Sequence, residues 1–347
     1  MALIQDYNEL LKYDSNLTNP TIDIKKIIVN GNVVWQKVGV SGPDYTIPFT
    51  IEMIESGSIT ISNPQGYTIK YQINNGSAVS SSSTAITLNS LSANDTIKLY
   101  GNNASYGTSS QSTSTKITST AKHNIYGNIM SLISETNFST LTSFTTTYSF
   151  AYFFYQNTGL VNAKDLILRP TTLEYTGPYN NMFYGCTNLL TPPELPATTI
   201  SGSCYASCFR GCNSLTYAPA LPAETVGNSS YSRMFYGCSS LTEAPALPAT
   251  TLNTSCYQYM FYGCSNITTA PDLLAADLYT TCYRQMFYGC SKLNYVKCLA
   301  ETNISTSSSV SSWLYNVAST GKFVKKSGIS WSTGASGIPS GWTVEEV

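Results

Sequence analysis

One pentapeptide, Met-Phe-Tyr-Gly-Cys, recurs along this chain of 347 residues at a fixed interval. Copies begin at Met182, Met234, Met260 and Met286, with a degenerate copy at Cys208, so each starts 26 residues after the last. A constant period in the twenties is typical of solenoids, because one turn cannot bury its own apolar face and must stack on its neighbours. The period therefore predicts a fold of stacked turns.

Aligned turns show columns of a single residue type that point to a continuous core. The cysteine column is predicted to supply small buried side chains and consists of Cys186, Cys212, Cys238, Cys264 and Cys290. The glycine before each cysteine suits a turn with positive φ, and Trp313 continues the phenylalanine column. The stretch 256–264 predicts one or two helical turns closed by glycine. The stretch 241–247 predicts a short strand that its proline interrupts.

The repeat motif from Met234 to Leu252, Met-Phe-Tyr-Gly-Cys-Ser-Ser-Leu-Thr-Glu-Ala-Pro-Ala-Leu-Pro-Ala-Thr-Thr-Leu, resembles BspA-like leucine-rich repeats. It looks like variants found in gut Bacteroidales and in the crAss-like bacteriophages that infect them. Segments 124–132 and 313–347 look like the beginning and end of the same group, so the resemblance covers roughly residues 45–347. It implies a leucine-rich-repeat solenoid with a role in surface adhesion or recognition, in a phage virion protein.

The predicted fold class is mainly β with short helices. Five segments follow one another: an N-terminal anchor segment at 1–40, a β-sandwich domain at 41–120, an N-terminal cap of the solenoid at 121–155, a leucine-rich-repeat solenoid with 26-residue turns at 156–318, and a C-terminal cap at 319–347. The β-sandwich is predicted from short alternating segments separated by turn residues. The run at 105–120 is either its last edge strand or a loop.

The N-terminal segment contains two short apolar runs on either side of Asn30-Gly31, which is a strong hairpin signal. An isolated hairpin is marginally stable, so this one is expected to pair with something else. It is similar to N-terminal pieces of phage structural proteins, which implies an anchor on the virion; the alternative is an ordinary hairpin packed on the next domain. The anchor candidates are Ile27, Val29, Asn30, Gly31, Val33 and Trp35.

Composition limits the partners. Charged residues make up 11% of the chain and the net charge is −1, so nucleic acid is not an expected partner. A surface of uncharged polar groups can contact glycans or proteins with little desolvation of ions. We expect contacts with other virion proteins through the N-terminal segment, with a host surface glycan or protein, and within a homo-oligomer or larger assembly.

The beginning of the chain lacks the basic and apolar regions of a secretory signal, and no apolar run is long enough for membrane insertion. We therefore expect a protein made in the host cytoplasm and located on the virion surface. The alternative is a fragment of an exported bacterial cell-surface adhesin whose signal has been removed.

No arrangement of residues in the sequence predicts catalysis. The only histidine is His123, and nothing near it has the form of a nucleophile elbow. Carboxylates are scattered along the repeats, so a cell-wall glycosidase is a disfavoured alternative. Cys204, Cys208 and Cys212 lack a fourth metal ligand. We expect no enzyme activity, no catalytic or metal-binding residues and no cofactor, and the cysteines are expected to be reduced.

Positions that vary between otherwise similar turns are predicted to face solvent. The surface-binding candidates are Tyr217, Glu243, Thr269, Asp272 and Tyr295, although the variation is also what drift on an idle surface would produce. These candidates come from two variable columns. A third variable column consists of Ala206, Ser232, Gln258 and Arg284. Two tyrosine columns, which start at Tyr179 and Tyr184, are either intramolecular stacking ladders or binding stripes.

Overall fold

The computed structural model describes residues 42–306 and 308–347 in full and, between residues 1 and 41, the backbone of two strands. The described part of the chain is mainly β, as predicted, and its one helix is a 3₁₀ turn at Ile129–Leu132. The chain divides into two compact units, residues 1–43 and 44–347.

The first unit contains an antiparallel strand pair, β1 (Lys26–Val29) and β2 (Asn32–Gln36). Ile27 lies opposite Trp35, and Val29 opposite Asn32, with a register irregularity after Ile27. The predicted pair of strands is therefore present. The predicted turn residues Asn30 and Gly31 lie outside the described residues, as do the side chains of the other anchor candidates.

The second unit begins with two antiparallel sheets. Their strands are β3 (Thr50–Met53), β4 (Gly57–Ser62), β5 (Ile69–Ile73), β6 (Val79–Ser81), β7 (Ala85–Leu91), β8 (Thr96–Gly101), β9 (Lys116–Thr118) and β10 (His123–Asn128). One sheet has the order β10-β3-β8-β5-β6, and the other β7-β4-β9. Side chains alternate between buried and less buried along β4 and β8, as expected for sheets with one face on a core. The predicted short strands between residues 41 and 120 are therefore present, and the run at 105–120 contains β9 near its end.

The larger sheet continues into the repeat region. Strand β10 pairs in parallel with β11 (Leu160–Asn162) and with β12 (Leu166–Ile167). The ring of Phe49 packs edge-on against Phe153 and Phe154, with centroids 6.2 and 5.8 Å apart. The first repeat turn therefore covers what would otherwise be an open sheet edge, and the two sheets share one hydrophobic core with the repeats.

Later strands join successive turns in parallel. The strands β13 (Thr172–Leu173), β14 (Thr199–Ile200) and β15 (Thr225–Val226) form one sheet, and β16 (Tyr295–Cys298), β17 (Gly321–Lys325) and β18 (Trp342–Glu346) form another. Leu173 lies beside Ile200, and Ile200 beside Val226. Equivalent residues of neighbouring turns therefore lie side by side.

The predicted helical turns are absent, and this prediction was wrong. In the stretch from Tyr257 to Cys264, alternate N–H groups donate to carbonyls of the next turn, as from Tyr259 to Arg284 at 2.9 Å. The N–H groups between them donate three residues back, as from Gln258 to Ser255 at 3.2 Å. An α-helix would bond N–H groups to carbonyls four residues back within the segment, and the N–H groups used in this way could not donate to the neighbouring turn. We call this part of each turn the turn arc (residues 254–264 and their equivalents).

A left-handed residue occurs at every fourth position of the turn arc, as at Ser255, Tyr259 and Gly263, with φ of 57°, 58° and 72°. The repeated glycine has a φ of 72–75° in all five copies, so the predicted positive φ is confirmed. A Cβ added to Gly237 would meet nothing within 4 Å. Glycine is therefore favoured there by its backbone conformation and not by lack of space.

The opposite part of each turn, which we call the proline arc (residues 241–247 and their equivalents), has few hydrogen bonds between turns. The predicted strand at 241–247 is absent. Proline lacks the N–H that a ladder needs, and Pro219, Pro245 and Pro271 recur at one position. Where Lys297 replaces the proline, the four-residue strand β16 forms. The predicted interruption by proline is confirmed.

The last repeat turn has a different register from the predicted one. The N–H of Gly289 donates to the carbonyl of Tyr315 at 2.8 Å, and Asn316 has a φ of 56°. Asn316 therefore occupies the glycine column, 27 residues after Gly289. Consequently Trp313 is not in the phenylalanine column, and the extra residue instead lets its ring stack on Tyr283 at 6.2 Å.

Candidate functional site on the repeat surface

The five surface-binding candidates lie along the proline arc. Tyr217 is 45% exposed, Glu243, Thr269 and Asp272 are exposed, and Tyr295 is half-buried. Thr269 forms a β-bridge with Tyr295, so these two are direct neighbours on the surface. The other candidates lie along the same arc, and within the described part of the chain no β-bridge connects them to this pair.

Asp272 is engaged in an ion pair. Its carboxylate accepts a hydrogen bond from the ammonium of Lys297 at 2.6 Å, and this hydrogen bond raises the pKa of Lys297. Both side chains are exposed, so the pair contributes little to stability. It places adjacent opposite charges at the end of a mostly polar surface that also carries Glu243.

The third variable column does not face solvent throughout, contrary to expectation. Ala206 and Ser232 are buried, with 9% and 4% of their surfaces exposed, whereas Gln258 and Arg284 are half-buried. The hydroxyl of Ser232 also donates to the carbonyl of Gln258 at 3.3 Å. Each of these residues lies on the turn arc, where successive turns are in contact. We therefore attribute the variation in this column to side chains of different size and polarity that pack between turns.

The first tyrosine column forms a buried stacking ladder. Its members are Tyr179, Tyr205, Tyr231, Tyr257 and Tyr283, each exposed by 1% or less. Neighbouring ring centroids are 5.6–6.0 Å apart, with interplanar angles of 20° or less. Of the two alternatives for this column, the structure selects the intramolecular ladder, and these rings contact no external ligand.

The second tyrosine column forms another ladder, which lies at the surface and is mostly half-buried. Its stacked pairs are Tyr155–Tyr184 at 4.8 Å, Tyr236–Tyr262 at 4.5 Å, Tyr262–Tyr288 at 4.6 Å and Tyr288–Tyr315 at 4.8 Å. At the degenerate repeat, the guanidinium of Arg210 replaces a ring and lies 5.3 Å from Tyr184 and 4.5 Å from Tyr236. Arginine stacks on aromatic faces, so the substitution preserves the ladder.

Stacking decides what the surface ladder can offer to a ligand. Inner members such as Tyr262 have a neighbouring ring on each face, so their faces are covered. Only ring edges and hydroxyls remain for contact. A ligand that needs a flat aromatic face therefore cannot use the middle of this ladder.

All ten cysteines are buried, and none forms a disulfide. In the main column each thiol donates to the carbonyl of a phenylalanine in the preceding turn, as from Cys238 to Phe209 at 3.1 Å. Burial raises the pKa of Cys238 to about 12, so the reactive thiolate is suppressed. The five side chains of this column therefore lie in the core, each bonded to the preceding turn.

His123 is fully buried on β10 between the sheets and the first turn. Its Nδ1 is 2.9 Å from the carbonyl oxygen of Ala121, and its Nε2 is 3.1 Å from the amide nitrogen of Asn157. Desolvation lowers the pKa of His123 to about 4. Nδ1 is therefore the donor and Nε2 the acceptor of a neutral ring, which joins β10 to the repeats and has no exposed nitrogen.

Across residues 42–306 and 308–347, no three side chains of His, Cys, Asp or Glu form a cluster that could hold a metal ion. Within the same ranges, no helix is long and apolar enough to cross a membrane. No protein-family model, curated protein or solved structure matches the chain.

Proposed function

We propose that the chain is a non-enzymatic structural protein of a phage virion, located in a head fibre, a decoration or a tail-associated part. In this proposal residues 156–318 are a leucine-rich-repeat solenoid that displays an adhesive surface to a host glycan or protein. The segments before the repeats act as a β-sandwich spacer and as an anchor that contains β1 and β2. The virion location rests on the resemblance of the repeat motif.

The observation that supports the adhesive role is the difference between the two arcs of each turn. The turn arc makes the contacts that hold successive turns together, whereas the proline arc contributes few hydrogen bonds between turns. Residues at the surface of the proline arc differ from turn to turn, as at Tyr217, Glu243 and Thr269. A surface that can change without loss of the stack is suited to recognition of different partners.

The virion location is tested by mass spectrometry of purified particles of a phage that encodes this chain. We expect the protein in washed virions at a fixed copy number relative to the major capsid protein. A phage whose protein lacks residues 1–40 should produce particles without it, while the truncated protein remains soluble with an unchanged thermal unfolding midpoint. Absence of the intact protein from virions, or normal assembly of the truncated one, would contradict the proposal.

The adhesive surface is tested by binding of the labelled, full-length protein to host cells. A double variant, Tyr217→Arg with Thr269→Arg, should bind at least tenfold more weakly, because two bulky cations then cover the proline arc. The matched control is Thr254→Arg, an exposed position at the start of the turn arc. Equal binding by all three proteins would exclude the proline arc as the contact surface.

A further inference from the structure

The buried aromatic ladder continues beyond the repeats and ends in a tryptophan. Trp313 stacks on Tyr283, and Trp331 stacks on Trp313 with centroids 5.5 Å apart and an interplanar angle of 15°. Trp313 is fully buried, whereas Trp331 is half-buried. Trp331 is therefore the last ring of this ladder.

Trp331 lines a concavity of about 330 Å³ in the C-terminal part of the chain, which we call the cap pocket. Its apolar wall includes Trp331, Trp342 and Pro339, and its polar lining includes the hydroxyls of Thr333 and Ser340. Such a volume is at the lower end of those that hold small ligands, and polar and apolar groups contribute about equally to the lining.

The indole N–H of Trp331 has no acceptor within the described residues and is covered from solvent. The two other cap indoles are paired, Trp313 with the carbonyl of Gly337 at 2.9 Å and Trp342 with the carbonyl of Ala318 at 2.8 Å. A buried donor without an acceptor destabilises a protein. Because this N–H is covered, a ligand in the cap pocket meets the ring of Trp331 and not its donor.

The charge in the cap pocket is already balanced. Lys325, whose side chain is 11% exposed, donates to the carbonyl of Ile329 at 2.8 Å and forms an ion pair with Glu346. An acidic ligand would have to compete with Glu346 for this ammonium, and a basic ligand would have to compete with Lys325. The electrostatics therefore favour a ligand without charge.

The neighbouring edge strand does not favour a second protein chain as the occupant. Strand β18 carries Glu345 and Glu346, which pair with Lys322 and Lys325 of β17. Charged side chains on an edge strand oppose the addition of another strand, because pairing would desolvate them. A small molecule that enters the pocket leaves these ion pairs in place.

We infer that the cap pocket binds an uncharged saccharide of one or two rings. The C–H face of a pyranose carries slight positive charge and is attracted to the negative face of an indole, while Thr333 and Ser340 can exchange hydrogen bonds with its hydroxyls. This site gives a ligand class to the adhesive role and rests on that role, but it lies outside the proline arc.

The test is a titration of the full-length protein, followed by tryptophan fluorescence, with glucose, galactose, mannose and N-acetylglucosamine, and with glucuronic acid as the charged comparison. We expect saturable binding of at least one neutral sugar with a millimolar Kd, and at least tenfold weaker binding of glucuronic acid. Ser340→Tyr fills the pocket from an exposed position and should weaken binding at least tenfold. Trp331→Phe keeps the stack but presents a smaller ring with a weaker negative face, and should weaken binding several-fold.

The matched control is Ser239→Tyr, the same change at an exposed position in a distant repeat turn, which should bind as the unaltered protein does. If Ser340→Tyr does not fold, Thr333→Tyr tests the same wall. Absence of saturable binding by the unaltered protein, unchanged binding by the pocket-filling variant, or tighter binding of glucuronic acid would overturn the inference. Virion composition is a separate measurement, so failure of this site and failure of the virion location are distinguishable.

Discussion

The two arcs of each repeat turn hold the protein together to very different degrees. Along the turn arc, alternate N–H groups bond to the next turn, and Phe235, Tyr231 and Cys238 are buried beneath them. Along the proline arc the prolines remove ladder donors, and Glu243 and Tyr217 are exposed. The stack is therefore held mainly from one side, which leaves the other side free to change in sequence.

The largest expected effect comes from the core beneath the turn arc. Phe235 lies between Phe209 and Phe261, each 5.7 Å away. Phe235→Ala should lower the free energy of unfolding by about 3–5 kcal/mol, because it opens a cavity and interrupts the ring column. Denaturation with urea, followed by circular dichroism, measures the change.

The matched control is Glu243→Ala, at an exposed position on the proline arc that follows Phe235 in the sequence. It should change the free energy of unfolding by less than about 0.5 kcal/mol. If the two substitutions were equally destabilising, the proposed difference between the arcs would be wrong.

A second effect is expected on the pH dependence of stability, through His123, which lies between the sheets and the first turn. The folded protein holds this ring neutral with a pKa of about 4, whereas an unfolded histidine has a pKa near 6.5. Between these values the unfolded chain binds more protons, so stability is present above pH 6.5 and is lost as the pH falls toward 4. The full loss is about 3 kcal/mol.

Urea denaturation at a series of pH values measures this loss. Carboxylates also titrate in this range, so the informative quantity is the difference from the variant His123→Gln, which cannot gain a proton but can still form hydrogen bonds. We expect the variant to show a flatter profile between pH 6.5 and 4. Parallel profiles for the two proteins would show that His123 does not titrate on unfolding.

The smallest expected effect lies on the proline arc itself. Pro245→Lys imitates the turn in which Lys297 replaces the proline and β16 forms. The new N–H should allow local strand pairing and increase protection from hydrogen exchange at residues 244–247, with a change in stability of less than about 0.5 kcal/mol. Exchange followed by mass spectrometry detects it.

The control for this change is Thr254→Lys, an exposed position outside the proline arc, where exchange at residues 244–247 should stay as it is. If Pro245→Lys left exchange at residues 244–247 unchanged as well, something other than the proline would interrupt the strand.

Some features of the fold follow directly from the repeat. The columns correctly predicted buried cysteines at positions such as Cys238, a positive φ at Gly237, and a loss of strand pairing at Pro245. Each of these depends on the local chemistry of one residue type repeated in register. Chemistry of that kind is visible in the sequence, because the period aligns equivalent positions.

Other features could not be predicted in this way. A glycine near the end of 256–264 is compatible with both a helix and a series of tight turns. Which of the two forms depends on whether the backbone groups bond within the segment or to the next turn. Likewise, Ala206 and Arg210 vary within their columns, yet one is buried between turns and the other replaces a ring in the surface ladder. Their sequence variation alone does not distinguish these positions from idle surface.

The cap pocket shows the same limit at the end of the chain. Trp331 and Trp342 lie in the predicted C-terminal cap, and the structure shows that they line a concavity together with residues of β17 and β18. The sequence by itself determined the period, the mainly β character and the buried columns, because these depend on side-chain type and spacing. The tertiary structure decided the path of the turn arc, the register of the last turn and the cap pocket, because each depends on which atoms of neighbouring turns come within contact.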